Sequence, residues 1–216
     1  MQLLEKTLIR VGNDEYARAN GSFGLTTLHN RHVNVRGRRV TFRFRGKSGR
    51  EHVIDLADPR LAAVVRRCRE LPEQELFAYF DDAGEIQRIG SADVNDYLRE
   101  ISGSDFTAKD FRTWAGTLLA LQALKQRPEF STLAEGKRNV AAAIESVART
   151  LGNTKAVCRK SYVHPALVEA AKERPRDPLP GIEPRPARKW LSSAEVGLID
   201  FLKSQSRRRR KLAKTA

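Results

Sequence analysis

Between Arg31 and Leu56 the apolar residues recur at every second position. Val33 and Val35, then Val40, Phe42 and Phe44, alternate with Arg and Thr, and Gly37-Arg38 separates the two runs. A period of two sends alternate side chains to opposite faces of a strand, so this stretch predicts a small three-stranded antiparallel meander. Its third run is His52-Val53-Ile54-Asp55-Leu56. Gly46-Lys47-Ser48-Gly49 forms the second turn, with Lys47 at its tip between Arg45 and Arg50. Ahead of the meander, residues 1 to 9 have helical spacing and read as the end of a helix entered part-way. Arg10 follows, then Val11 to Tyr16 as a turn rich in helix breakers. Ser22 to Leu28 reads as a short extended segment.

Beyond Asp58-Pro59, a helix start signal, the period becomes helical. Leu61, Val64, Val65, Cys68 and Leu71 share one face. Leu76 to Phe80 is a short apolar run, extended or one helical turn, ended by Asp81-Asp82-Ala83-Gly84. Ser91 caps a helix through Val94, Tyr97, Leu98 and Ile101, and Thr107 opens a longer one containing Phe111, Trp114, Leu118 and Leu121. Residues 137 to 151 form a further helix, ended by Gly152. Pro165 to Lys172 is another. Five prolines between 174 and 188 mark a linker. A last helix carries Val196, Leu198, Ile199, Phe201 and Leu202. The divisions expected are therefore a main domain over 1–173, a Pro-rich linker over 174–190, a helix over 191–205 and a basic, disordered tail over 206–216. The fold class is α+β, mostly helical, with a small three-stranded antiparallel sheet near the N-terminus.

Charge narrows the partner. The 216 residues include 40 Lys plus Arg against 26 Asp plus Glu, a formal net charge of +14. Such an excess points to a polyanion, nucleic acid first and an acidic membrane surface second. A run of about 18 apolar residues, as a membrane span requires, is absent from the sequence. Two cysteines, Cys68 and Cys158, make neither a disulfide framework nor a zinc motif, and the four histidines lack ligand spacing. Gly46-Lys47-Ser48-Gly49 lacks the upstream glycine of a phosphate-binding P-loop. No cofactor is called for, and a reducing, cytoplasmic setting is expected.

Candidate chemistry centres on Leu151 to Pro165, where Tyr162 lies among Lys155, Arg159 and Lys160. A phenol has a pKa of about 10 and is a poor nucleophile near neutrality; cations favour its ionised form and attract an anionic substrate. Arg112 stands in the first turns of its helix, where free N–H groups and the positive dipole end suit a phosphate. Each has a plainer reading when taken alone: Tyr162 as a half-buried packing residue, Lys47 as a solvated loop lysine, Arg112 as a partner of Asp105 or Asp110.

Five blocks change that balance. Leu8 to Asn13, Phe23 to Leu28, Arg45-Gly46-Lys47, Lys109 to Trp114, and Leu151-Gly152-Asn153 through Tyr162 occur in order over residues 5 to 172. Together they resemble the type IB DNA topoisomerases of the bacterial and poxvirus-like branch. The resemblance implies the tyrosine recombinase/topoisomerase IB catalytic fold, duplex DNA as partner, a monomer, and no metal, ATP or other cofactor. It implies Tyr162 as the nucleophile that forms a 3′-phosphotyrosyl link. Arg10 and Arg112 would clamp the phosphate oxygens, and Lys47 would be the general acid for the departing 5′ oxygen. Asn153, where poxvirus-like members have histidine, would donate a hydrogen bond to the phosphate without titrating. Lys109, Lys155, Arg159, Lys160, Arg45 and Arg50 are expected to contact DNA.

The alternatives are a tyrosine recombinase or integrase on the same fold and a DNA-binding protein without catalysis. Recombinases typically carry His-x-x-Arg where this chain has Lys109-x-x-Arg112. Relatives also carry a β-rich domain before the residue matching Met1, the other half of a clamp. The catalytic part alone is expected to hold duplex DNA from one face, weakly and with strong salt sensitivity. A nucleoid-associated location follows from the same reading.

Overall fold

The computed structural model describes residues 1–72, 74–173 and 185–215. It divides into two compact units, Met1–Phe111 and Arg112–Ala216, so the division falls inside the stretch read as one domain over 1–173.

The first unit starts with α1 (Gln2–Thr7) and α2 (Asp14–Asn20). The second of these replaces the expected turn over 11–16. Asn13 is its N-cap, with the side-chain oxygen accepting from the Tyr16 N–H at 2.7 Å, so the breaker-rich cluster starts a helix. Residues 25–27 form a 3₁₀ turn within the stretch expected to be extended. The meander is as the alternation predicts: β1 (Val33–Arg36), β2 (Arg39–Arg45) and β3 (Glu51–Ala57), antiparallel in the order β1-β2-β3. The register pairs Val33 with Phe42 and Val40 with Leu56. Val40, Phe42 and Phe44 are buried on one face, while Arg39, Arg43 and Arg45 are exposed on the other.

Helix α3 (Pro59–Arg69) lays Leu61, Ala62 and Val65 on the buried face. Its N-cap Asp58 accepts from the Arg60 and Leu61 N–H groups, each at 3.0 Å. The Leu61 N–H and the Lys6 ammonium hold the Asp58 carboxyl below its ordinary value. The Leu76–Phe80 run resolves into extended chain: the Leu76 N–H bonds the Leu28 carbonyl at 2.7 Å, and β4 (Ala78–Phe80) pairs antiparallel with β5 (Ile86–Arg88). Helix α4 (Ser91–Ser102) follows. Gly90 is its cap, with the Asp93 carboxylate accepting from the Gly90 N–H at 2.7 Å.

Helix α5 (Ala108–Lys125) begins in the first unit, where the Asp110 carboxylate accepts from the Thr107 N–H and hydroxyl, both at 2.9 Å. The second unit contains its remainder together with α6 (Leu133–Leu151), α7 (Lys155–Ser161), α8 (Pro165–Glu173) and α9 (Ser193–Thr215). Helix α6 starts four residues before the expected Lys137, because Thr132 and Glu135 form a reciprocal capping box. Its Val140, Ile144, Val147 and Leu151 form the buried stripe, joined by Cys158, Leu167, Leu198 and Phe201.

Most of the linker read over 174–190 lies outside the described residues, and Arg188 to Leu191 form a tight turn. Helix α9 does not stop at 205. It continues through the basic run to Thr215, which corrects the expectation of a disordered tail. Arg, Lys, Leu and Ala are strong helix formers, and cations at a helix C-terminus complement its dipole. A second capping box secures its start, with Ser192 donating from N–H and hydroxyl to Glu195 at 2.8 and 2.7 Å. The Trp114 indole N–H donates to the other Glu195 oxygen at 3.0 Å. Burial works to raise the Glu195 pKa, but the bonds from Trp114 and Ser192 outweigh it and leave the carboxyl below its ordinary value. Among the described residues, no helix is long and apolar enough to cross a membrane, and no group of three or more His, Cys, Asp or Glu side chains could hold a metal ion.

Candidate active site

The five residues singled out for catalysis fall into two groups. Arg10 and Lys47 belong to the first unit; Arg112, Asn153 and Tyr162 belong to the second.

In the first unit one segment braces both cationic residues. Arg10 lies just after α1, and its carbonyl accepts from the Leu25 N–H at 2.8 Å; the next carbonyl, of Val11, accepts from Thr26 at 2.7 Å. Two residues earlier, the Phe23 N–H donates at 2.7 Å to the carbonyl of Arg45, the last residue of β2. Residues 23–26 therefore join the Arg10–Val11 segment to the root of the Lys47 hairpin. Gly24 permits the joint: a Cβ there would lie 2.5 Å from the Gly12 Cα.

The hairpin turn itself closes through the Gly46 N–H to the Arg50 carbonyl at 2.7 Å, with Ser48 at φ 62°. Lys47 is exposed at its tip, flanked by the exposed Arg45 and Arg50. Its ammonium lies 5.4 Å from the centre of the Tyr16 ring, a cation–π contact supplied by α2. Sequence reasoning missed Tyr16. The signal was Asn13-Asp14-Glu15, a helix start that places Tyr16 in the first turn.

Histidines support the same segment. His29 and His32 stack at 5.3 Å, and Phe23 lies 4.4 Å from the His32 ring. The His29 N–H donates to His32 Nδ1 at 3.0 Å, and the Arg31 Nε–H approaches Nε2 at 3.4 Å, contacts that oppose a proton on the ring. Burial, then the neighbouring His29 and Arg31, push its pKa down to about 4.

The second unit brings Arg112, Asn153 and Tyr162 together. Arg112 is 5% exposed and donates from Nη2 to the Leu151 carbonyl at 2.7 Å. Asn153, 8% exposed, approaches the same oxygen with its side-chain NH₂ at 3.4 Å. The C-terminus of α6 makes this possible. Gly152 turns left-handed at φ 62°, and the Asn153 N–H returns to the Ala148 carbonyl at 2.9 Å. Gly152 thus sets the Asn153 amide beside the guanidinium. Tyr162 caps α7, half-buried, with the Arg112 Cζ 5.0 Å from the centre of its ring. Leu151 contributes through a carbonyl, and a backbone group has no residue type by which a sequence could reveal it.

The expected DNA contacts distribute unevenly. Lys109 is exposed on the first turn of α5, and Lys160 is exposed on α7. Lys155 already pairs with Glu145 at 2.9 Å, a bond that keeps the Glu145 carboxyl below its ordinary value. Lys155 and Arg159 line an open groove of about 580 Å³ with Lys137 and Lys172, over a floor that includes Val140 and Ile144.

The family model for the catalytic core of eukaryotic DNA topoisomerase I matches residues 1–177. The chain belongs to the type IB DNA topoisomerases. A relative called DNA topoisomerase 1B in Acanthamoeba polyphaga mimivirus is 34% identical over 81% of this chain and 54% of its own length. DNA topoisomerase 1B of vaccinia virus (strain Copenhagen) is 22% identical over 77% of this chain and 50% of its own. DNA topoisomerase 1 of Schizosaccharomyces pombe is 26% identical over 62% of this chain and 16% of its own. The chain thus spans about half the length of its viral relatives. Within this type IB chain, the buried Arg112 and Asn153 and the half-buried Tyr162 form the cluster just described, while Arg10 and Lys47 share the brace of residues 23–26.

Proposed function

We propose that this chain relaxes supercoiled duplex DNA through a transient 3′-phosphotyrosyl nick, without ATP or metal. The observation that carries the reading is the grouping of Arg112, Asn153 and Tyr162 around the end of α6, with the guanidinium 5.0 Å from the tyrosine ring. A tyrosine ring against a buried guanidinium, with a side-chain amide on the same Leu151 carbonyl, suits attack on a phosphodiester, whose oxygens gain charge in the transition state.

Tyr162 Oη attacks phosphorus, and its proton passes to solvent. The bond to the 5′ oxygen breaks, and Lys47 Nζ gives that oxygen a proton. Arg10 and Arg112 hold the non-bridging oxygens, and Asn153 donates a further hydrogen bond. The new phosphotyrosyl ester keeps the energy of the broken one, so the 5′-hydroxyl reseals the strand by the reverse path. Lys109, Lys155, Arg159, Lys160, Arg45 and Arg50 contact the DNA backbone. The protein acts as a monomer in a reducing compartment beside the nucleoid, and its kinship extends to the bacterial branch.

The test is relaxation of supercoiled plasmid in EDTA without ATP, comparing wild type with Tyr162→Phe. Relaxation by the wild type, and neither relaxation nor a denaturant-resistant DNA adduct with the variant, is the expected result. Equal activity of the two removes Tyr162 as nucleophile, and an inactive wild type removes the function.

A further inference from the structure

We infer that Thr113, Gly116 and Thr117 of α5 are positioning residues that hold the Tyr162 backbone at a fixed distance from Arg112. The inference rests on Tyr162 being the nucleophile. Thr113 Oγ1 donates to the Ser161 carbonyl at 3.3 Å, on one side of the tyrosine. On the other side, the His164 N–H donates to Thr117 Oγ1 at 3.1 Å, while that hydroxyl donates to the Thr113 carbonyl at 2.8 Å. Between them Gly116 faces the tyrosine itself: a Cβ there would collide with the Tyr162 carbonyl oxygen and lie 3.2 Å from its carbon. Thr117 is 2% exposed and Gly116 is buried, so water does not replace these contacts.

Positions 113, 116 and 117 lie on one face of a helix, because residues three and four apart are neighbours there. Arg112 is the residue immediately before them. One rigid element therefore carries both the cation proposed to clamp the phosphate and the anchors on either side of the proposed nucleophile. Tyr162 has left helical geometry, at φ −129° and ψ −4°, so α7 alone does not fix its direction. Misplacing a reacting atom by about 1 Å can cost on the order of a hundredfold in rate. Three short contacts to the peptide groups around Tyr162 suit that requirement.

The experiment measures single-turnover formation of the covalent DNA adduct, DNA affinity and melting temperature for full-length variants. Thr117→Val keeps the shape but removes the acceptor for His164; Thr117→Ser restores it. Gly116→Ala pushes on the Tyr162 carbonyl. Expected for Thr117→Val and Gly116→Ala is a fall of about 10- to 100-fold in cleavage rate at saturating DNA. DNA affinity should stay within about twofold, since a hydrogen bond remote from the ligand adds little to binding. Thr117→Ser should return to near the wild-type rate. Wild-type cleavage by Thr117→Val overturns the inference, as does a rate that follows melting temperature with no rescue by serine. Tyr162→Phe is measured alongside. An adduct with that variant sinks the nucleophile, whereas an inert Tyr162→Phe with a fully active Thr117→Val sinks only the positioning role. If Gly116→Ala does not fold, the valine and serine pair decides.

Discussion

Lys47 and Arg112 are both cations assigned to phosphate chemistry, yet the chain holds them in opposite ways. Lys47 stands exposed on a five-residue turn, Gly46 to Arg50, whose shape comes from backbone hydrogen bonding and a left-handed Ser48. Its ammonium touches the Tyr16 ring and keeps the freedom of a solvated side chain. Arg112 is buried, bonded to a helix-terminal carbonyl and laid against Tyr162. The difference suits the two tasks proposed for them. A general acid has to reach a leaving oxygen and then recover a proton from water, so exposure serves it. A clamp for developing negative charge works best when it is fixed before the reaction and shielded from solvent.

Substitutions can break this contrast. Lys47→Ala should slow cleavage by about 10²–10⁴-fold, the range of general acid catalysis, with the melting temperature unchanged. A substrate with a 5′-thiolate leaving group, which requires no proton, should be spared. Equal loss on both substrates removes the acid role, and a lowered melting temperature removes the claim that the turn tolerates the change. Arg112→Ala should cost about 10²–10³-fold in cleavage, as for loss of one transition-state donor. It should also destabilise the protein by about 1–3 kcal/mol, since the Leu151 carbonyl loses the shorter of its two side-chain hydrogen bonds. Chemical denaturation checks this, and unaltered stability would refute the double role. Asn153→Ala removes the hydrogen bond proposed to reach the phosphate, worth about 1 kcal/mol in the transition state, so a loss of roughly fivefold to tenfold is expected from adduct kinetics.

A smaller effect concerns pH and the first unit alone. An unfolded histidine protonates near about 6.5. His32 in the native protein does so near about 4, because burial and the His29 and Arg31 charges oppose it. Between those values the unfolded chain binds more protons, so stability falls as pH drops through the window. Hydrogen exchange at pH 7 and pH 5 should show β2 and β3 amides losing protection more than α6 amides. His32→Gln should reduce that difference; uniform loss across both units would refute it. Last, deleting residues 206–216 should flatten the dependence of DNA affinity on salt by about 0.9 for each phosphate that the tail neutralises. An unchanged slope would show that the end of α9 does not meet DNA.

Much of this was legible in the chain itself. The alternation from Val33 to Leu56 predicts the meander and places Lys47 on its turn, and the structure has both. Asp58-Pro59 and Thr107 mark the starts of α3 and α5. Helix α2 was hidden because Gly12-Asn13-Asp14 has the residues of a turn, and Asn and Asp serve equally well as caps. Residues 25–27 coil because Gly24 packs on Gly12, a contact between distant residues that local pattern cannot carry. At the end of α9 the charge run reads as a tail, while the helix propensity of its Arg, Lys, Leu and Ala agrees with the helix that the structure has. Arg112 and Tyr162 stood out by their motifs. The junction of Arg112 with Asn153 is the Leu151 carbonyl, visible only once α6 and α5 are packed together.

That carbonyl has a consequence for how the site meets its substrate. With Arg112 already in a dry setting, bonded to a neutral oxygen, the dehydration of the guanidinium is completed during folding and not at encounter. Under the proposed role, a phosphate arriving there would meet a cation that has little water left to shed, and the desolvation cost of the contact would be correspondingly small. The same arrangement couples inheritance of activity to inheritance of the fold. A variant without the chemistry would still have a Leu151 carbonyl for which Arg112 is the nearer of two side-chain donors.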